Sequence, residues 1–189
     1  ITAFKNLREL DLSGNVLEEQ GLHELNSLNF LKNLNLSYNK LSSLWSLPKR
    51  VEILNLSNNC LKELNEDVCK SMRNVTTLDV SNNKLESLTH FEHMVRIKRL
   101  VAKNNHIRLL APVKPIESIY ELDLEGNAVD SHIDFLEFIK GKNDLIVVNL
   151  HLNPLMVEVD CIERLNEDLI AKAPDHVTRK TAEEIIEYK

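Results

Sequence analysis

The sequence predicts an α/β solenoid: a right-handed coil whose concave side is a seven-stranded parallel sheet, whose convex side mixes 3-10 and helical returns, and whose C-terminal end carries a helical cap. Three observations predict it. One pattern, L-x-x-L-x-L-x-x-N-x-L, recurs seven times, its asparagine position is filled in every copy, and successive copies start 20 to 26 residues apart. A fixed period of this length is the mark of stacked supersecondary units, each too small to bury a core alone.

The copies are LRELDLSGNVL from Leu7, LKNLNLSYNKL from Leu31, VEILNLSNNCL from Val51, VTTLDVSNNKL from Val75, IKRLVAKNNHI from Ile97, IYELDLEGNAV from Ile119 and LIVVNLHLNPL from Leu145. Side chains alternate along a short strand, so Leu34 with Leu36, or Leu78 with Val80, point inward while their neighbours point out. The asparagines, Asn15, Asn39, Asn59, Asn83, Asn105, Asn127 and Asn153, stand where the chain turns back. An amide there can donate to and accept from backbone groups of adjacent coils, which no apolar side chain can do. Seven stacked strands at roughly 4.8 Å make a curved face about 30 Å long.

The returns form the convex wall. LSSLWSLPKR, containing Pro48, is short enough to be extended or 3-10, whereas DSHIDFLEFIKGKND, with Ile133, Leu136 and Ile139, has room for a helix of about two turns. The first repeat starts almost at once after ITAFKN, so the N-terminal edge has no cap of its own; the expectation is chain upstream of Ile1, with a partner across that edge as the alternative. Repeats therefore occupy 1–155 and the cap 156–189. In the cap, Ile162, Leu165, Leu169 and Ile170 have helical spacing, Pro174 follows, and Thr181 with Glu184 fits a capping box opening a second short helix.

These repeats resemble the leucine-rich repeat superfamily, specifically its intracellular class with repeats near 22 residues, typified by a regulatory subunit of protein phosphatase-1 and including an axonemal dynein light chain. The resemblance covers essentially the whole chain. LESLTHFEHM after Asn83 matches the class, with Leu85, Leu88, Phe91 and Met94 turned inward, while the insertions after Asn15, Asn59 and Asn127 depart from its uniform period. Asn153-Pro154 followed by a helix, a proline and a Val-Thr pair is similar to the C-terminal cap of many such proteins.

Composition bounds the function. The 189 residues are 43% apolar, enough for a core, and no apolar run reaches the roughly 20 residues that span a bilayer. A net charge of −6 argues against dominant binding to nucleic-acid phosphates. Cys60, Cys69 and Cys161 are unpaired in number and read as reduced thiols. The sequons at Asn35 and Asn55 fall on the sheet, where a glycan would block it, and a third lies at Asn74; with no cysteine clusters, the expected location is cytoplasmic, cytoskeletal or nuclear.

No catalytic motif is present: there is no Gly-rich phosphate loop, no G-x-S-x-G, no H-E-x-x-H and no Cys-x-x-Cys, so the reading is a non-enzyme without cofactor. His90 and His93 have the closest spacing to a metal pair but lack nameable further ligands, and a solvated turn is the expectation. Cys69 and Cys161 read as small core residues, and Trp45, beside Leu44 and Leu47, as core, with an exposed contact anchor as the alternative.

Function then falls to the outward strand positions. In the first four repeats serines and asparagines serve the backbone turns. The last three are more individual: Arg99, Val101 and Lys103 beside Tyr120, Glu121, Asp123 and Glu125, then Val147, Asn149, His151 and Leu152. Apolar groups flanked by opposite charges fit a protein-binding surface on a monomeric solenoid; alternatively, the charges neutralise one another across strands. The resemblance implies an interaction scaffold in phosphatase regulation or in axonemal, centrosomal or spindle assembly. A component of an RNA-protein complex and a recruitment domain within a larger enzyme-containing chain are the alternatives.

Overall fold

The computed structural model of the chain describes residues 4, 6–18, 22–45 and 47–157. The predicted cap helices, with Cys161, lie outside them. Seven three-residue strands form one parallel sheet in chain order: β1 (Glu9–Asp11), β2 (Asn33–Asn35), β3 (Ile53–Asn55), β4 (Thr77–Asp79), β5 (Arg99–Val101), β6 (Glu121–Asp123) and β7 (Val147–Asn149). The register repeats without a slip, so Leu10, Leu34, Leu54, Leu78, Leu100, Leu122 and Val148 form one inward column. From Leu34 to Val148 every member is buried, whereas Leu10, Leu7 and Leu12 in the first coil are only partly covered.

The asparagine ladder is present as predicted. Asn83 Nδ2 donates to the carbonyls of Val80 in its own coil and Leu56 in the previous one, both at 3.0 Å, while its Oδ1 accepts from the Leu61 N–H at 3.0 Å. Asn39, Asn59, Asn105, Asn127 and Asn153 repeat this bridge. Among the described residues Asn15 bonds only to Leu12 and Ser13 of its own turn. Each bridge satisfies groups that the strand ladder leaves over where the chain leaves the sheet.

The returns differ because their lengths do. His23–Ser27, Phe91–His93, Ala111–Val113 and Pro154–Val157 are 3-10 turns, and the described residues of the short return through Trp45 form neither helix nor strand. Leu44 and Leu47 of that return are buried while Trp45 is 67% exposed, so the expected core tryptophan is a surface one. The long return after Asn127 holds helix α2 (His132–Ile139), capped by Ser131, whose hydroxyl accepts from the Asp134 N–H. Its buried residues are Phe135 and Phe138, with Leu136 and Ile139 partly covered; Ile133, expected in the apolar stripe, faces solvent. A further helix, α1 (Glu66–Ser71), occupies the return after Asn59, which the leucine pattern alone did not reveal. Its signal was Asn65 before two acidic residues: the Asn65 amide oxygen caps the Val68 N–H, and Glu66 pairs with Lys70 one turn on. Leu85, Leu88, Phe91 and Met94 are all buried, as expected. Among the described residues no helix is long and apolar enough to cross a membrane.

Cys69 lies on the buried side of α1, and burial pushes its thiol pKa up to about 12. The reactive species is the thiolate, so native Cys69 should resist alkylation at pH 8 while the partly exposed Cys60 is modified first. Peptide mass mapping after a short iodoacetamide pulse checks this; equal labelling at both positions contradicts the buried placement.

Candidate interaction surface

The outward positions separate into groups with different work. The central column, Asp11, Asn35, Asn55, Asp79, Asp123 and Asn149, is a ladder of Asx turns: each side-chain Oδ1 accepts from the backbone N–H two residues on, at 2.8 to 3.2 Å. Asp123 and Asn149, expected among the contact residues, thus also hold the turns out of β6 and β7. The local role assigned to the first four repeats extends through the sixth and seventh, because a carboxylate or amide at this place captures the same N–H.

Val101 breaks that column. It cannot make the turn bond, and it stands between Asp79 and Asp123 in register. Arg99 and Lys103, two residues before and after it on the same face, both reach to β6 and its turn, and Val101 is left 9% exposed. It was expected to offer itself to a partner; instead it is nearly buried.

The charges are mutually engaged. Arg99 Nε lies 2.7 Å from Glu121 Oε1, and Lys103 Nζ lies 3.0 Å from Asp123 Oδ2 and 2.9 Å from Glu125 Oε2. Asn149 Nδ2 donates to Glu125 at 3.2 Å, and His151 Nδ1 stands 3.9 Å from its other oxygen. The hydrogen bond to Glu121 raises the Arg99 pKa, those to Glu125 and Asp123 raise that of Lys103, and Lys103 lowers that of Glu125. Neutralisation across adjacent strands is therefore realised. These pairs are too exposed to contribute more than marginally to stability, but they leave a surface without a strong net field.

Beside these pairs the exposed groups are chiefly apolar. Tyr120, just before β6, and Val147, on β7, are 36% and 38% exposed, Leu152 is 66% exposed, and Ile146 borders an open depression lined by Lys98, Ser118, Tyr120 and Asp144. Tyr38 and Ile53, in the second and third repeats, are also exposed, and the emphasis on the last three repeats passed over them.

Leu152 carries a second peculiarity. The residue before each ladder asparagine takes a left-handed turn conformation, as Gly14, Asn58, Asn82, Asn104 and Gly126 do at little cost. Leucine at φ 58° and Tyr38 at φ 54° do so against the preference of their Cβ, by about 1 kcal/mol or more. An exposed leucine in a disfavoured backbone state contributes nothing to the fold that asparagine would not. Leu152→Asn should therefore raise the thermal midpoint by a few degrees, roughly 1 kcal/mol at 2–4 °C each. A lower midpoint in thermal denaturation would contradict this.

Among the described residues, the grouping with metal-ligand side chains is His90, Glu92 and His93 on the convex side.

Comparison with known proteins agrees with the geometry. Residues 49–107 and residues 6–28 match models of the leucine rich repeat family, and neither match is to an enzyme. No curated protein gives a significant sequence match. Among solved structures, YopM from Yersinia enterocolitica is 28% identical over 78% of this chain and 29% of its own, with a TM-score of 0.61. TLR13, in the TLR13–ssRNA13 complex, is 20% identical over 78% of this chain and 25% of its own, with a TM-score of 0.63. An internalin from Listeria monocytogenes is 17% identical over 79% of this chain and 49% of its own, with a TM-score of 0.57. The chain thus spans half or less of the length of each of these proteins.

Proposed function

From the match of its repeats to leucine rich repeat models and its leucine-rich repeat solenoid fold, of a kind that typically serves as an interaction scaffold, we propose that the chain holds a partner protein on its concave sheet without catalysing a reaction. The observation that carries this is the apolar group Tyr120, Val147 and Leu152, exposed beside charges that already satisfy one another. Such a surface gives a guest apolar anchors for affinity and a polar rim for orientation. A helix or folded domain fits the hollow of the sheet, and the setting is regulatory or cytoskeletal assembly of the phosphatase, axonemal or centrosomal kind, in the cytoplasm or nucleus, with the scaffold itself monomeric.

The test is affinity capture from cell extract with the wild-type chain and with Tyr120→Ala/Val147→Asp, followed by mass spectrometry. The reading predicts a partner present in the first eluate and lost from the second. An unchanged set of captured proteins removes the concave face as the contact.

TLR13 is a leucine-rich repeat protein seen with single-stranded RNA, and an RNA-protein assembly is the second reading. It is disfavoured because Arg99 and Lys103 are held by Glu121, Asp123 and Glu125, so a phosphate would have to displace carboxylates from them. Oligonucleotide binding that weakens steeply with salt would favour it. Recruitment of a substrate within a longer chain is compatible with the concave-face contact and is separated from it by the partner's identity.

A further inference from the structure

We infer that the turn His90–His93, closed by Glu66 from α1, is a binding site for one divalent cation of the zinc type. The sequence alone supplied two histidines and no further ligand; the fold supplies two carboxylates. One donor atom from each of His90, Glu92 and His93 lies within 4.8 Å of the others. Across the gap between returns, Glu66 Oε1 stands 3.5 Å from His93 Nε2. Ligands held about 2.0–2.2 Å from a tetrahedral ion sit roughly 3.4 Å from one another, so the His93–Glu66 spacing is already that of a coordinated pair, and the three donors of the turn, within 4.8 Å of one another, would draw closer on binding.

The backbone arranges this. His90 immediately precedes the 3-10 turn Phe91–His93 and its carbonyl accepts from the His93 N–H at 3.1 Å, which brings the two side chains together: the rings are nearly parallel, 6° apart in tilt with centroids 6.4 Å apart. His90 enters the turn in the left-handed region, φ 73°, a conformation that histidine adopts more readily than most residues. The turn is anchored by Phe91 and Met94, both buried, and α1 by Val68, Cys69 and Met72, so both sides of the site rest on the core rather than on loose loop. Pre-positioned ligands on packed elements are what a metal site requires.

The donor chemistry selects the ion. Two imidazoles with two carboxylates suit Zn²⁺ and its neighbours Ni²⁺ and Cu²⁺, whereas Ca²⁺ and Mg²⁺ prefer all-oxygen shells. Lys70 Nζ already sits 2.7 Å from Glu66 Oε1, but a carboxylate offers about four lone-pair sites, so Glu66 can keep its lysine and still bind a cation.

The experiment is a titration of the chain with Zn²⁺ by calorimetry, repeated with Co²⁺ to read the visible absorption of a low-coordinate site. His93→Gln removes one imidazole; His90→Asn removes the other while keeping a side chain that tolerates the left-handed backbone. The expected result is one equivalent of Zn²⁺ bound by the wild-type chain, weakened about tenfold or more in each histidine variant and by a smaller factor in Glu66→Gln, with metal-free thermal midpoints unchanged. No saturable binding in the wild-type chain, or wild-type affinity in both histidine variants, overturns the assignment. The concave-face reading is untouched by either outcome.

Discussion

Replacing Asn83 with alanine should lower the thermal midpoint by roughly 6–12 °C, about 3 kcal/mol at 2–4 °C each for a chain of this size. The loss has two parts. The Leu61 N–H, whose partner is Asn83 Oδ1, becomes an orphan in the core, at about 1–3 kcal/mol. The carbonyls of Leu56 and Val80 each lose one of two donors, since Asn59 also reaches the first and Asn105 the second, and the smaller side chain leaves a void between coils. Asn15→Ala is the matched control. Asn15 is exposed and among the described residues bonds only within its own turn, so its removal should cost about 1 kcal/mol or less. Thermal or urea denaturation of the two variants measures the difference; equal midpoints would mean that bridging between coils is not what the asparagine supplies. Partner binding should be unchanged in both at temperatures where they are folded, because neither side chain belongs to the contact surface.

Tyr120→Ala with Val147→Asp should abolish partner binding, a loss of roughly a thousandfold or more. A buried aromatic anchor is worth about 2 kcal/mol or more at an interface, and a carboxylate placed where a valine met an apolar guest would be desolvated without a partner. Together these exceed the 4.1 kcal/mol that a thousandfold represents. The fold should survive. The sheet at Tyr120 is held by its backbone, which donates to the Lys98 carbonyl and accepts from the N–H groups of Ile146 and Val147, and the double substitution keeps all of these. Aspartate at 147 would face Glu121 in register, at a cost of up to about 1 kcal/mol, reduced because Arg99 already holds Glu121. Binding measured beside the thermal midpoint separates the two effects: a collapse of both would show that these residues serve stability rather than contact.

The fold was legible in the sequence because a solenoid writes its geometry repeatedly. One inward leucine column, one asparagine ladder and a near-constant period leave a single consistent register, and the observed strands follow it residue for residue. The returns were less legible. Nothing repeats there, so helix α1 depended on one local cap at Asn65, and the phase of α2 was misjudged between Ile133 and Phe135. Trp45 was misplaced because the nearby Leu44 and Leu47 suggested core, whereas only the two leucines are buried there. The surface was legible only in part. Alternation identified which residues face outward, but not that Asp123 and Asn149 accept from their own turns, nor that Val101 is nearly buried between Arg99 and Lys103, which pair with Glu121, Asp123 and Glu125 of the next coil. The ion pairs are contacts between coils, and they depend on side-chain reach that a one-dimensional pattern does not record. The Glu66–His93 approach escaped for the same reason: its two halves come from different returns, 27 positions apart in sequence.

The most direct test is hydroxyl-radical footprinting of the captured complex against the free chain, read by mass spectrometry at single side chains. The concave-face account predicts that Tyr120, Ile146 and Leu152, all solvent-accessible in the free chain, lose reactivity on binding, while Trp45, Val95 and Leu109 keep theirs. Protection of Trp45 and its convex neighbours with Tyr120 and Leu152 still fully reactive would contradict it.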